Sequence, residues 1–135
     1  MTTHKTRNRK DQEDRTLDYR IWRWNIDGPY YSADCDQIEW RIKDGEYVPA
    51  AVLELTRVDG YPPDPPPAYF NAILKRYEKD AQGYATVYVA ERLGVQAFIV
   101  AFSRELDRFW VYNLSAKRGW WNLCQDEYAR WIRNI

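Results

Sequence analysis

The stretch Ala50–Thr56, AAVLELT, is apolar at every position except Glu54 and the closing threonine. A strand exposes alternate residues to opposite faces of its sheet, so a run that is apolar on both parities belongs to a central strand covered on each side. That requires helices above and below a sheet. Just upstream, Ile38, Trp40 and Ile42 alternate with Gln37, Glu39, Arg41 and Lys43, the period of a half-buried strand. Asp44-Gly45 between the two segments is a strong hairpin signal. The centre of the fold is therefore expected to be an antiparallel pair that carries one carboxylate in its buried strand.

The rest of the chain supplies the layers. Residues 1–11, MTTHKTRNRKD, are polar, basic and aperiodic, and are expected to form a flexible arm ahead of a single domain over residues 12–135. Leu17, Ile21 and Trp24 stand at i, i+4 and i+7, which predicts an amphipathic helix over Glu13–Trp24, ended by Asp27-Gly28-Pro29. DGYPPDPPP (59–67) is a rigid loop rather than a domain linker, because the segment after it completes the same sheet. Tyr69, Ile73 and Tyr77 predict a helix over Tyr69–Lys79. Gly83 is expected to interrupt it, with a second helical piece over Tyr84–Leu93 closing at Gly94. Val95–Phe102 reads as a buried strand, Arg108–Leu114 as its antiparallel partner, and Tyr128, Trp131, Ile132 and Ile135 as the apolar stripe of a last helix. The order is helix, hairpin, helix, strand, strand, helix: an α/β chain with one mixed α+β sheet and helices on its faces.

Composition excludes several chemistries. His4 is the only histidine and lies in the polar arm, so a Ser-His-Asp triad, a Cys-His pair and a histidine zinc site have no basis. Cys35 and Cys124 have no metal-ligand spacing and are expected to be free thiols of a cytoplasmic protein. No apolar run approaches the ~18 residues of a membrane span. The 20 basic and 20 acidic side chains cancel, so bulk charge does not announce a nucleic-acid partner, although a neutral sum can hide a polarised surface.

The chemistry rests on carboxylates. Val52, Glu54 and Thr56 share one strand face, and a carboxylate there carries a large desolvation cost unless it is paired or bound to a cation. Asp36, leading into the neighbouring strand, is placed to lie beside Glu54. Two converging carboxylates repel, and a hard divalent cation, Mg²⁺ or Mn²⁺, resolves the repulsion with oxygen ligands. Asp34 offers a further oxygen two residues earlier, although a turn or strand-start role suits it better.

An aspartate, a hairpin turn, then an apolar strand ending Glu-x-Lys is the pattern of the PD-(D/E)xK nucleases, the restriction-endonuclease-like and RecB-like superfamily. YRIWRW, DCDQIEWRIKDGEYVPAAVLEL, VAERLGVQAFIVAF and RFWVYNL together resemble small stand-alone members over about residues 17–135. The resemblance implies a restriction-endonuclease-like αβββαβ core with a C-terminal helix, Asp36 and Glu54 as ligands of Mg²⁺ or Mn²⁺, and phosphodiester hydrolysis on DNA. The lysine position falls on Thr56, and this departs from the pattern. Threonine brings no charge, though its hydroxyl can position a water. Arg57 points to the other face of a regular strand and replaces the lysine only if a bulge re-aims it. Some relatives take the basic residue from the following helix, where Lys75 and Lys79 lie one turn apart. Gln82 echoes the helical glutamine of RecB-like members, but its spacing to Tyr84 or Tyr88 does not match. An acid from the first helix, Glu13, Asp14 or Asp18, joins the site in some relatives.

Each residue also has a plain reading. Glu54 can be half of a salt bridge, with Arg41 a candidate partner. Lys75, Arg76 and Lys79 can be a solvated helix face. Trp120 and Trp121 suit packing better than base stacking, and Cys35 is expected to face the core. The missing lysine gives a second hypothesis, a nuclease-fold protein that no longer cuts and binds DNA or another protein. A third is an enzyme of the same descent with a different substrate. Dimerisation stays open.

Overall fold

Asp44 and Gly45 both take positive φ, +52° and +82°, the backbone of a tight hairpin turn. They join β1 (Gln37–Lys43) to β2 (Glu46–Val58) in a computed structural model that describes residues 15–60 and 64–135. The chain divides into two units, residues 1–32 and 33–135. In the first, α1 (Leu17–Trp24) is closed by the Asn25 side-chain amide, which donates to the Ile21 carbonyl at 2.9 Å. The expected start of this helix at Glu13 and the basic arm over 1–11 lie outside the described residues.

The second unit is built on a five-stranded mixed sheet in the order β1-β2-β3-β4-β5, with β3 (Gln96–Ser103), β4 (Arg108–Asn113) and β5 (Arg118–Cys124). Only β2 and β3 are parallel. A parallel pair needs a crossover, and α2 (Pro67–Lys79) and α3 (Ala81–Leu93) provide it. With α1 and α4 (Gln125–Asn134), the described chain is an α/β fold of five strands and four helices. Two strands, rather than three, stand between α1 and α2.

Alternation assigns the two faces. Ala51, Leu53, Phe98, Val100, Phe109 and Val111 form one apolar layer, covered by Tyr128, Trp131, Ile132 and Ile135 around α4. On the other face Val58, Ile99, Ala101 and Trp110 pack against Phe70, Ile73 and Tyr77 of α2, and Val52 and Ala97 against Ala90 of α3. Phe70, Ile73 and Tyr77 are i, i+3 and i+7, so one stripe of α2 meets the sheet.

Three expectations change. Gly83 does not separate two helices. Asp80 does, with extended backbone (ψ 146°), and its side chain accepts from the Gln82 N–H at 3.2 Å to start α3. Gly83 instead sits buried inside α3, where a Cβ would fall 1.8 Å from the Tyr77 carbonyl oxygen. The glycine marks a close helix approach rather than a break. Next, β5 was not anticipated, because an extra residue between the Val111–Trp121 and Tyr112–Gly119 pairs disrupts its alternation. That residue, Trp120, turns inward at φ +65° to meet Phe70 (4.6 Å) and Tyr112 (5.2 Å), while Trp121 stays exposed. Finally, Trp40 and Ile42 are exposed, on β1 at the edge of the sheet.

Candidate active site

The register explains how Asp36 and Glu54 come together. The β1–β2 pairing ends at Gln37–Leu53, so from Glu54 onward β2 keeps a neighbour only on the β3 side. Asp36, the first residue beyond the pairing, fills the gap with its side chain: Oδ2 accepts the Leu55 N–H at 2.8 Å. A carboxylate thus stands in for the acceptor that the missing strand would have supplied. It lies close enough to Glu54 for its charge to push the Glu54 carboxyl up.

Glu54 is fully buried. Its Oε2 accepts from Gln82 Nε2 at 2.6 Å and its Oε1 from Thr86 Oγ1 at 2.6 Å. Gln82 and Thr86 are i and i+4 on α3, so one helix face delivers both donors. Burial pushes the Glu54 carboxyl up to about 7. The Thr86 and Gln82 hydrogen bonds pull it back, and Asp36 adds to the rise through its charge. Thr86 offsets burial only in part because its single hydroxyl hydrogen has a second acceptor, the Gln82 carbonyl at 2.8 Å.

No salt bridge reaches Glu54 among the described residues. Arg41, the partner a purely structural role would call for, pairs with Glu39 at 3.2 Å and donates to the Ile132 carbonyl. Arg57, exposed and of the same strand parity as Leu53 and Leu55, is held by Asp59 at 3.1 Å. Around the carboxylates, Cys35 is raised by burial and then by Glu54, Asp34 and Asp36, as a thiol packed beside acids must be. The Tyr77 hydroxyl is pushed up to about 12 by burial and by the Glu54 charge, partly offset by the Arg76 guanidinium, which lies 5.5 Å from the Tyr77 ring centre.

The other sequence candidates separate. Thr56 is half-buried, and strand alternation puts it on the Glu54 face. Lys75 and Lys79 are exposed on the side of α2 turned away from Phe70, Ile73 and Tyr77, so the fold does not bring them to the carboxylates. Asp18 belongs to the first unit, and Glu13 and Asp14 lie outside the described residues. Thr86 was missed by the sequence reading, although a polar side chain four residues after Gln82 was the available signal. Arg76, read only as solvated, lies against Tyr77, the ring that feels the Glu54 charge.

A hard divalent cation suits this donor set. Mg²⁺ takes one or two carboxylates and completes its shell with water and substrate oxygens. Among the described residues, no three or more His, Cys, Asp or Glu side chains are grouped so as to hold a metal ion together. Each carboxylate oxygen has two lone pairs, and the hydrogen bonds at Glu54 use one on each. No protein-family model matches the chain, and no curated protein or solved structure matches it. No described helix is long and apolar enough to cross a membrane.

Proposed function

We propose that the protein is a metal-dependent nuclease of PD-(D/E)xK type that hydrolyses DNA phosphodiesters. One observation carries the reading: Glu54 is fully buried with no basic partner among the described residues, and it converges with Asp36 where the β1–β2 pairing ends. The αβββαβ core of that superfamily is part of the proposal, supported by the hairpin that presents both acids and by the helical crossover from β2 to the parallel β3.

In this reading Asp36 and Glu54 hold Mg²⁺ or Mn²⁺. Bound there, the cation lowers the pKa of a coordinated water and offsets charge on the phosphate. Asp36, fixed through Oδ2 by the Leu55 N–H, keeps its other oxygen for the cation. Gln82 and Thr86 hold the Glu54 carboxylate in one orientation and stabilise its charged form. Thr56 positions a water on the same face. Lys75 and Lys79 meet the DNA backbone only from the outer side of α2.

A second reading has its own observation. The motif lysine is absent, and Lys75 and Lys79 turn away from the pair, which favours a nuclease-fold protein that binds DNA or another protein without cutting it. The deciding experiment incubates the full chain with single- and double-stranded DNA and Mg²⁺ or Mn²⁺, alongside Asp36→Ala and Glu54→Ala. Cleavage that both substitutions abolish is the expected result. No cleavage, together with no Mn²⁺ binding by calorimetry, sinks the enzyme.

A further inference from the structure

Between α2, α3 and the turn from β4 to β5 lies a cavity of about 320 Å³. Three tyrosines, Tyr77, Tyr84 and Tyr112, contribute to its walls, and Glu78 and Lys117 give it one carboxylate and one ammonium. Gly83 lines it too, at the point where the backbones of α2 and α3 approach closely. Its distance from the carboxylates follows from the register. Glu54 pairs with Ile99, and Ile99 with Tyr112, so Glu54 and Tyr112 stand in one row across three strands. At about 4.8 Å per strand the two are roughly 10 Å apart along the sheet. Tyr77, which feels the Glu54 charge, bridges the two regions.

We propose that this cavity receives a nucleobase of single-stranded nucleic acid, and that the strand leaves it over the outer face of α3. The proposal rests on the reading of Asp36 and Glu54 as a phosphodiester-cutting site and names the form of its substrate. Aromatic walls stack on any base, whereas a carboxylate accepts from an exocyclic amine such as cytosine N4 and an ammonium donates to a ring nitrogen or carbonyl. Thymine has a carbonyl in place of that amine, so a Glu78 carboxylate set at the amine's position meets an acceptor there and selects against it. The exit path is a second observation. A shallow groove on α3 shares Tyr84 with the cavity and continues to Tyr88, whose ring lies 4.9 Å from the Arg92 guanidinium. Tyr84, Tyr88 and Arg92 are i, i+4 and i+8; Glu91 lines the same groove, so a single strand lies along it by stacking bases on the two rings, with its phosphates toward Arg92.

The test is fluorescence anisotropy of the full chain with labelled oligo(dC), oligo(dT) and a duplex, in EDTA so that nothing is cut. Oligo(dC) is expected to bind more tightly than oligo(dT) or the duplex. Tyr84 is 72% exposed, so Tyr84→Ala leaves the thermal midpoint in place; it should weaken oligo(dC) binding about tenfold, while Tyr84→Phe restores it. Glu78→Gln should remove the preference for oligo(dC). Single-strand binding unchanged by Tyr84→Ala, or no single-strand binding at all, overturns the cavity. The cutting site is judged apart from it. Cleavage lost in Glu54→Ala with Tyr84→Ala binding unchanged overturns the cavity alone. Tyr84-dependent oligo(dC) binding without any cleavage supports the cavity and overturns the nuclease.

Discussion

Alternate residues of the same strands make the two faces of the sheet, yet the faces differ in kind. Toward α4 the layer of Ala51, Leu53, Phe98, Val100, Phe109 and Val111 is wholly apolar, sealed by a T-shaped Phe98–Trp131 pair and a stacked Phe109–Tyr128 pair. Toward α2 and α3 the layer holds a buried acid, a buried threonine and a cavity. Leu53 and Glu54 are neighbours in sequence and both essentially fully buried, one for each purpose. A face that fixes the strands by itself lets the other carry an unfavourable group. Leu53→Ala is therefore expected to have the largest effect on stability, about 4 kcal/mol by denaturant titration, while leaving metal-dependent activity per folded molecule unchanged. A loss below about 1 kcal/mol would mean that the α4 face does not carry the fold.

The polar face depends on how closely its two helices approach. Gly83→Ala sets a methyl group against the Tyr77 carbonyl, and because that neighbour is backbone it cannot swing aside. The expected cost is about 3 kcal/mol, the upper end for overpacking. Displacing the start of α3 also moves Gln82, so Mn²⁺ affinity by calorimetry should fall together with stability. Lost stability with metal affinity intact would separate the helix junction from the site.

Much of the closed face was legible in the sequence, and less of the polar one. AAVLELT and VQAFIVAF announce buried strands because periodicity reports burial, and Asp44-Gly45 names its own turn. Glu54 stood out because a carboxylate breaks such a run, and Asp36 because it leads into the strand that pairs beside it. The partners of Glu54 were harder to see. Gln82 and Thr86 reach it from 28 and 32 residues away, and nothing local shows that α3 crosses β2 there. Gly83 misled because a glycine at a close approach and a glycine at a break are the same letter. β5 was hidden by the bulge at Trp120, which removes the alternation that would have marked it.

Acidity tests the polar face directly. Glu54 titrates near 7 in the fold against 4.5 ordinarily, so the folded state holds an extra proton between those values. Its contribution is complete below about pH 4.5 and is lost as pH rises through 7. Stability should fall by about 2 kcal/mol from pH 5 to pH 7, and Glu54→Gln should remove that slope. Tyr77 and Cys35 are both pushed to higher values and do not titrate in this window. Added Mn²⁺ should restore stability at pH 8 in the parent and not in Glu54→Gln. A parent chain as flat as the variant would show that burial does not hold the proton.

The smallest effect isolates one hydrogen bond. Thr86→Val keeps the shape of a fully buried side chain and removes only the hydroxyl, which donates to Glu54 Oε1 and also lies 2.8 Å from the Gln82 carbonyl. The loss should be about 1 kcal/mol, because the carbonyl keeps a second lone pair and Glu54 keeps Gln82. The direction in pH is the more telling readout. The hydroxyl favours the charged carboxylate, so removing it leaves burial less opposed and moves the Glu54 midpoint above its present value. The same loss makes Glu54 a poorer ligand at neutral pH, since a cation must displace a proton that is held more tightly. Thr86→Val should therefore weaken Mn²⁺ binding at pH 7 and recover most of it by pH 9, whereas Leu53→Ala on the opposite face should show no such pH-dependent recovery. A midpoint that stays put, or moves down, would mean that Thr86 serves the helix carbonyl rather than the acid, and Gln82 alone would then orient Glu54.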